Sequence, residues 1–366
     1  MIKVLVVDDS ALARKLFGGV LAAESDMEVQ LARNGLEALE QLERFRPDVI
    51  TLDVHMPEMN GLECLDRIMV ERPCRVVMVS ALTAEGADAT LAALRLGAVD
   101  FVPKPEGAVS LRMGQFAPRL VEKVRAAASA KLRASQRLRE KVQHRIGGAV
   151  AARRVRLASG APGAASNPAT GQGIVLVGTS TGGPPALESL LLPLPASFAW
   201  PIVIAQHMPA SFTGPLARRL DGICAIRVTE VVRPTALQPG CAYVARGDAD
   251  LIISRRPVGL VAMAAPARAD YPWHPSTDRL VRSAMEHLPP SQLIGVLMTG
   301  MGNDGAEAMA MLRAKGGKTI AEAEETAVVW GMPGELVKAG GADFVLPLPN
   351  IAERLQKLMP IYATHS

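Results

Sequence analysis

Four short apolar runs in the first 105 residues each stop at residues able to do chemistry. Lys3–Val7 runs into Asp8 and Asp9, VITLD ends on Asp53, RVVMVS ends on Ser80, and Val99–Pro103 stops just before Lys104 and Pro105. Between these runs, apolar residues recur with a helical period over Leu12–Leu21, Leu36–Phe45, Leu62–Glu71 and Leu91–Leu96. Strands that alternate with helices fold as a parallel sheet covered on both faces. The carboxyl ends of such strands open on one crevice. The pattern therefore predicts that Asp8, Asp9, Asp53, Ser80 and Lys104 gather at one edge of one sheet. A further helix is expected from about Leu111 to about Ala130.

Past that helix the texture changes. Residues 131–172 are rich in arginine and then in small residues, ending ASGAPGAASNPATGQG, the make-up of a solvated connector. From Ile174 a second alternation begins with IVLVG and continues through PIVIAQH, CAYVA, LIIS, LIGVLMTG, KTIAEA and DFVLPL. The expected fold class is α/β, with two doubly wound parallel-sheet domains. Their bounds are expected at 1–125 and 173–360, with a helix extension and linker over 126–172. A length of 366 residues suits two such units.

Several classes are excluded. A chain that is 49% hydrophobic and 21% charged has enough apolar surface to fold. Its richest apolar stretch, Leu187–Ala205, is broken by Pro193, Pro195 and Pro201 and carries Glu188, so no membrane span is expected. The opening MIKVLVV has neither a basic lead nor a cleavage site of a secretory signal. Cys64, Cys74, Cys224 and Cys241 form no CxxC pair and are read as buried, inert thiols in a reducing compartment. A cytoplasmic location is expected. Arg119–Arg156 carries twelve Lys or Arg against two Glu. A basic segment can attract nucleic acid, but no helix-turn-helix, zinc finger or aromatic-interleaved motif accompanies it. A solvated helix and linker is the expectation, with no nucleic-acid partner.

Three carboxylates at one sheet edge repel one another unless a divalent cation sits among them, and hard oxygen ligands suit Mg²⁺. A carboxylate so placed can accept a phosphoryl group as an aspartyl phosphate. An ammonium and a hydroxyl beside it can bind the phosphoryl oxygens. The ordered set D-D, LDVxMP, S-A and KP resembles a two-component receiver domain over about 1–125. The resemblance implies a flavodoxin-like fold, a metal pair at Asp8 and Asp9, and Asp53 as phosphoacceptor and metal ligand. It implies the main-chain carbonyl of His55 as the remaining protein ligand, with the imidazole on a surface loop. Ser80, Phe101 and Lys104 would be switch residues, and the peptide before Pro105 would be cis. A histidine kinase would donate the phosphoryl group and Mg²⁺ would be the cofactor.

The second alternation opens on Gly178-Thr179-Ser180-Thr181-Gly182-Gly183, with Pro184 starting a helix. These letters match a nucleophile elbow, though alone they equally suit a phosphate-cradling or structural turn. His207 follows a strand in QHMP, and Asp304 lies in TGMGNDG after the strand LIGVLM. A hydroxyl, an imidazole and a carboxylate at the ends of three strands of one sheet can form a catalytic triad. The chain order Ser…His…Asp differs from the Ser…Asp/Glu…His of α/β-hydrolases.

Together GTSTGG, QHMP, HPSTDRL, TGMGNDG and VVWGMP resemble the catalytic domain of the chemotaxis protein-glutamate methylesterases. That family joins this domain to an N-terminal receiver, and the resemblance spans about 1–125 and 173–355. It implies Ser180 as nucleophile, His207 as general base and acid, Asp304 as orienting carboxylate, and the Met301 N–H in the oxyanion hole. The implied substrates are glutamate γ-methyl esters on the cytoplasmic helices of chemoreceptors, which the enzyme meets as a peripheral partner. Methanol is released, some members also deamidate receptor glutamines, and no metal is needed in this half. The unphosphorylated receiver would lie over the active site. One motif departs from the family. APGDxH reads here Ala245-Arg246-Gly247-Asp248-Ala249-Asp250, with Arg246 in place of the proline and Asp250 in place of the histidine. That loop is expected near the active-site face. It motivates one alternative, a receiver-controlled interaction protein with a degenerate esterase domain.

Overall fold

The computed structural model describes residues 1–105, 113–132 and 173–359. The first half builds β1 (Ile2–Val7), α1 (Ala11–Ala22), β2 (Met27–Ala32), α2 (Gly35–Arg44), β3 (Val49–Asp53), α3 (Gly61–Glu71), β4 (Arg75–Ser80), α4 (Ala84–Leu96), β5 (Asp100–Pro103) and α5 (Met113–Ser129). The strands pair in the order β2-β1-β3-β4-β5, all parallel. Each of the first four helices starts where a short polar side chain accepts from a free N–H of its first turn: Ser10, Asn34, Asn60 and Thr83. Asn60 and Glu63 close a reciprocal capping box.

The second half builds β6 (Ile174–Thr179), α6 (Gly183–Leu191), β7 (Ile202–Gln206), α7 (Ala210–Ile223), β8 (Arg227–Val231), β9 (Thr235–Ala236), β10 (Cys241–Ala245), β11 (Asp250–Arg256) and β12 (Gly259–Ala265). It continues with α8 (Thr277–His287), β13 (Leu293–Leu297), α9 (Ala306–Ala314), β14 (Lys318–Glu322), α10 (Met332–Lys338), β15 (Phe344–Leu346) and α11 (Leu348–Leu358). Seven strands form a parallel sheet ordered β15-β14-β13-β6-β7-β10-β8. The run LIIS is not among them. It lies in β11, which pairs antiparallel with β12, and β12 with β9, in a separate small sheet. The main sheet of the second half is parallel, as expected, with this small antiparallel sheet beside it. LIIS alone cannot reveal the sense of its pairing, which depends on its partner strand.

Both parallel sheets reverse their strand order beside their first strand. In the first sheet the chain runs from β1 outward to β2 and then back to β3. In the second it runs from β6 to β7 on one side and β13 on the other. Such a reversal leaves a crevice at the carboxyl ends where ligands bind. Apolar residues fill the faces: Val4–Val7, Val49–Ile50 and Val76–Val79 in one sheet, Ile174–Val177, Ile202–Ala205 and Leu293–Leu297 in the other are almost wholly buried. The halves also pack on each other. Phe101 of β5 lies against Phe212 of α7 with ring centroids 4.4 Å apart. The Lys131 N–H donates to the Val328 carbonyl at 3.1 Å. Most of the expected linker lies outside the described residues, as does the basic stretch beyond Leu132.

Candidate functional site

At the carboxyl edge of the first sheet, one carboxylate oxygen each from Asp8, Asp9 and Asp53 lies within 4.8 Å of the others. Lys104 Nζ sits between two of them, 2.9 Å from Asp8 Oδ2 and 2.7 Å from Asp53 Oδ2. Burial pushes the Asp53 carboxyl above its ordinary value and the Asp8 charge adds to this, outweighing Lys104. Burial opposes charge on Lys104 too, but the two carboxylates overcome it and hold the ammonium above its usual range. Asp8 Oδ2 is buried and makes no well-aligned hydrogen bond. Three carboxylates with such an oxygen fit a hard divalent cation. The His55 side chain is exposed, and its N–H lies 3.5 Å from Asp53 Oδ1. Ser80 Oγ donates to the Gly86 carbonyl at 3.1 Å, toward α4 rather than toward Asp53. Among the described residues the cis peptide is at His274–Pro275, so the cis bond expected before Pro105 is corrected.

At the second crevice Ser180 directly follows β6, His207 directly follows β7, and Asp304 lies in the turn between β13 and α9. These are adjacent strands, so parallel pairing alone brings the three segments together. The positive φ of the Ser180 turn falls on Gly182, at 76°, which a side chain would strain. Ser180 itself carries no such strain, unlike the elbow its letters suggested. His207 Nε2 donates to Asp304 Oδ2 at 2.8 Å. The other ring nitrogen, Nδ1, is buried without a hydrogen-bond partner among the described residues. Asp304 is itself held from four directions. Oδ1 accepts from Ser276 Oγ at 2.9 Å and the Asp278 N–H at 3.0 Å, and Oδ2 accepts from the Thr277 N–H at 2.6 Å as well as from His207. Burial pushes this carboxyl up, but the His207 contact and the N–H donors outweigh it and hold it below its ordinary value.

The cleft over Ser180 and His207 has a volume of about 380 Å³ and is walled by both halves. Met301 lines it, and its N–H donates to no group among the described residues. Trp273 stacks parallel to the His207 ring with centroids 6.0 Å apart. Across the cleft stand Asp100, Phe101 and Lys123 of the first half. Asp100 Oδ2 accepts from the Thr181 hydroxyl and from Lys123 Nζ. Ser180 is 7% exposed. A hydroxyl, an imidazole and a carboxylate meet at this cleft, and the first half covers them.

A family profile described as "CheB methylesterase" matches residues 175–355, and one described as "Response regulator receiver domain" matches 4–113. The chain is 55% identical to a protein-glutamate methylesterase/protein-glutamine glutaminase of Rhodopseudomonas palustris, over 96% of both chains. It belongs to the receiver-linked CheB methylesterase family. A second relative, from Rhodospirillum rubrum and of the same description, is 51% identical over 98% of this chain and 96% of its own length. The crystal structure of the Thermotoga maritima CheB methylesterase catalytic domain is 37% identical, covers 52% of this chain and all of its own, and superposes with a TM-score of 0.50. Family membership does not favour reading the second half as a degenerate binding domain.

Reading the sequence missed Asp100, Thr181, Lys123, Trp273 and Ser276 around this cleft. Thr181 and Ser276 sit inside quoted motifs, and adjacency to Ser180 or a helix cap was the available signal. Asp100 and Lys123 act across the two halves, and nothing in either half's own pattern pairs them. No helix among the described residues is long and apolar enough to cross a membrane.

Proposed function

We propose that the chain is a phosphorylation-activated protein-glutamate methylesterase acting in the cytoplasm on methylated chemotaxis receptors. Its receiver occupies 1–125, its helix extension and linker 126–172, and its catalytic domain 173–360. The observation that carries this reading is the His207–Asp304 pair beside Ser180, in a cleft closed by the receiver. In this reading Ser180 Oγ attacks the γ-carbonyl of the methylated glutamate and its proton passes to His207 Nδ1. The Met301 N–H steadies the oxyanion. The tetrahedral intermediate breaks its C–OCH₃ bond, His207 returns the proton, and methanol leaves. Water then repeats the sequence on the acyl-serine and frees the glutamate. Asp304 keeps the imidazole in the tautomer with Nε2–H. A receptor glutamine would follow the same path with ammonia leaving.

Asp53 takes the phosphoryl group from a chemotaxis histidine kinase. Asp8, Asp9, Asp53 and the carbonyl of His55 would hold Mg²⁺, which when bound offsets the negative charge of the incoming phosphoryl oxygens. Lys104 pairs with the same carboxylates and is placed to bind a phosphoryl oxygen, with Ser80 turning from α4 to join it. Phe101, whose ring packs tilted against Phe212, is where a change at the Asp53 site reaches the esterase. The decisive experiment measures methanol release from methyl-labelled receptor membranes, with and without acetyl phosphate and Mg²⁺, using Ser180→Ala as blank. Release that rises on phosphorylation and vanishes in the blank is the expected result. No release from folded, phosphorylated protein would reject the reading.

A further inference from the structure

The turn Ala245–Asp250 was singled out because it departs from the family pattern, and the structure gives it a place. Asp250 opens β11, and its side chain is wholly buried. A buried carboxylate needs partners or it neutralises. Asp250 has three, all from one short segment. Oδ1 accepts from His274 Nδ1 at 2.9 Å and from the Ser276 N–H at 2.8 Å, and Oδ2 accepts from Arg279 Nη1 at 2.5 Å. The segment it ties down leads into α8 and supplies Ser276 Oγ, the Thr277 N–H and the Asp278 N–H, which all donate to Asp304. It also carries Trp273, which lies along His207.

The same turn holds the other partner of the pair. Gly247 passes so close to the chain after His207 that a Cβ there would lie 2.1 Å from the Met208 carbonyl oxygen. The Gly247 N–H donates to Thr213 Oγ1 at 3.2 Å, and Asp248 Oδ2 accepts from the Ala210 N–H at 3.2 Å at the start of α7. One six-residue turn therefore braces the backbone carrying His207 and the backbone that holds Asp304.

We infer that Asp250 is a positioning residue for the methylesterase reaction, fixing Asp304 against His207 through Ser276 and Thr277. It touches neither the reacting atoms nor His207. This inference rests on reading Ser180, His207 and Asp304 as the triad. Misplacement by about 1 Å can cost on the order of 10²-fold in rate, so an anchor two bonds removed can govern turnover. The titratable groups around His207 are Asp304, Asp248 and His274 from its own half, Asp100 from β5, and Arg119, Glu122 and Lys123 from α5. Of these, His274 lies in the segment tied by Asp250, and Asp304 accepts from that segment.

The test uses the full chain carrying Asp250→Asn, which keeps the shape and an acceptor but loses the charge facing Arg279. Methanol release from methyl-labelled receptor membranes gives kcat and KM. NMR of histidine-labelled protein follows the low-field proton of the His207 Nε2–H···Asp304 bond. The expected result is kcat down by about tenfold or more, KM within about twofold, and the low-field proton broadened or lost, in protein with native circular dichroism. A folded variant that keeps either its rate or its low-field proton overturns the inference. Should Asp250→Asn fail to fold, Arg279→Gln frees one oxygen of Asp250 while leaving its other bonds. The same two changes, smaller, are then expected, and their absence overturns it. Asp304→Ala serves as control. If that variant keeps full rate, the triad reading fails, while the low-field proton in Asp250→Asn still decides whether Asp250 holds the pair.

Discussion

The hydroxyl of Thr181, one residue past Ser180, donates to the Asp100 carboxylate of the receiver, one residue before Phe101. Lys123 Nζ meets the same carboxylate oxygen at 2.5 Å. This clasp joins the turn bearing the nucleophile to the strand bearing the receiver's buried aromatic residue. Hydrogen bonds to charged groups contribute roughly 1.5–3 kcal/mol, and 1.4 kcal/mol is about tenfold in a two-state population. Asp100→Ala should therefore raise methanol release without acetyl phosphate by about tenfold and leave the stimulated rate nearly unchanged. Equal basal rates in the variant and the parent would show that the clasp does not hold the cleft closed.

Phosphorylation should act through Asp53 alone. Asp53→Asn removes the acceptor and is expected to abolish labelling by ³²P acetyl phosphate and its stimulation of methanol release, with basal release kept. Lys104→Ala should weaken the stimulation yet leave untouched any activity that does not depend on phosphorylation. Stimulation retained in Asp53→Asn would place the switch elsewhere.

The acidic pocket gives a readout that needs no substrate. A ligand bound only by the folded state adds about 2.7 kcal/mol of stability at 100 times its Kd. Millimolar Mg²⁺ should raise the receiver's thermal midpoint by several degrees, and Asp9→Asn should remove most of that gain. An unchanged midpoint in the parent protein would mean these carboxylates hold no Mg²⁺.

Much of this was legible in the residues themselves, and the failures have physical causes. Buried parallel strands are continuous apolar runs, so β1, β3, β4, β6, β7 and β13 stand out, and their final residues mark both crevices. β2 reads MEVQLA, an edge strand with much of its length exposed, and carries no such run. β12 reads GLVAMAA, whose small residues suit helix or strand alike. The acidic trio and the Ser–His–Asp set follow from strand order. The clasp and the Asp250 anchor do not, because each joins segments whose meeting depends on tertiary packing. Asp250 was visible only as a departure from a motif, and its meaning came from Ser276 and Arg279.

The pH dependence of stability should carry the signature of Asp304. Its carboxyl is held below the ordinary value in the folded protein, because the bonds from His207, Thr277 and Asp278 outweigh burial. A depressed folded value means stability that is fully present above the unfolded value of about 3.9 and is lost as pH falls through the folded one. Asp304→Asn keeps the size but brings an amide N–H₂ where donors already point. It should cost about 1–3 kcal/mol at neutral pH, the penalty for buried groups left unpaired. Urea unfolding of the esterase transition should show that deficit constant from pH 8 to about pH 5 and shrinking below about pH 4. A deficit that did not narrow in acid would show that the ionised Asp304 carboxylate contributes nothing to holding α8, and methanol release by the same variant should still fall by about 10⁴-fold.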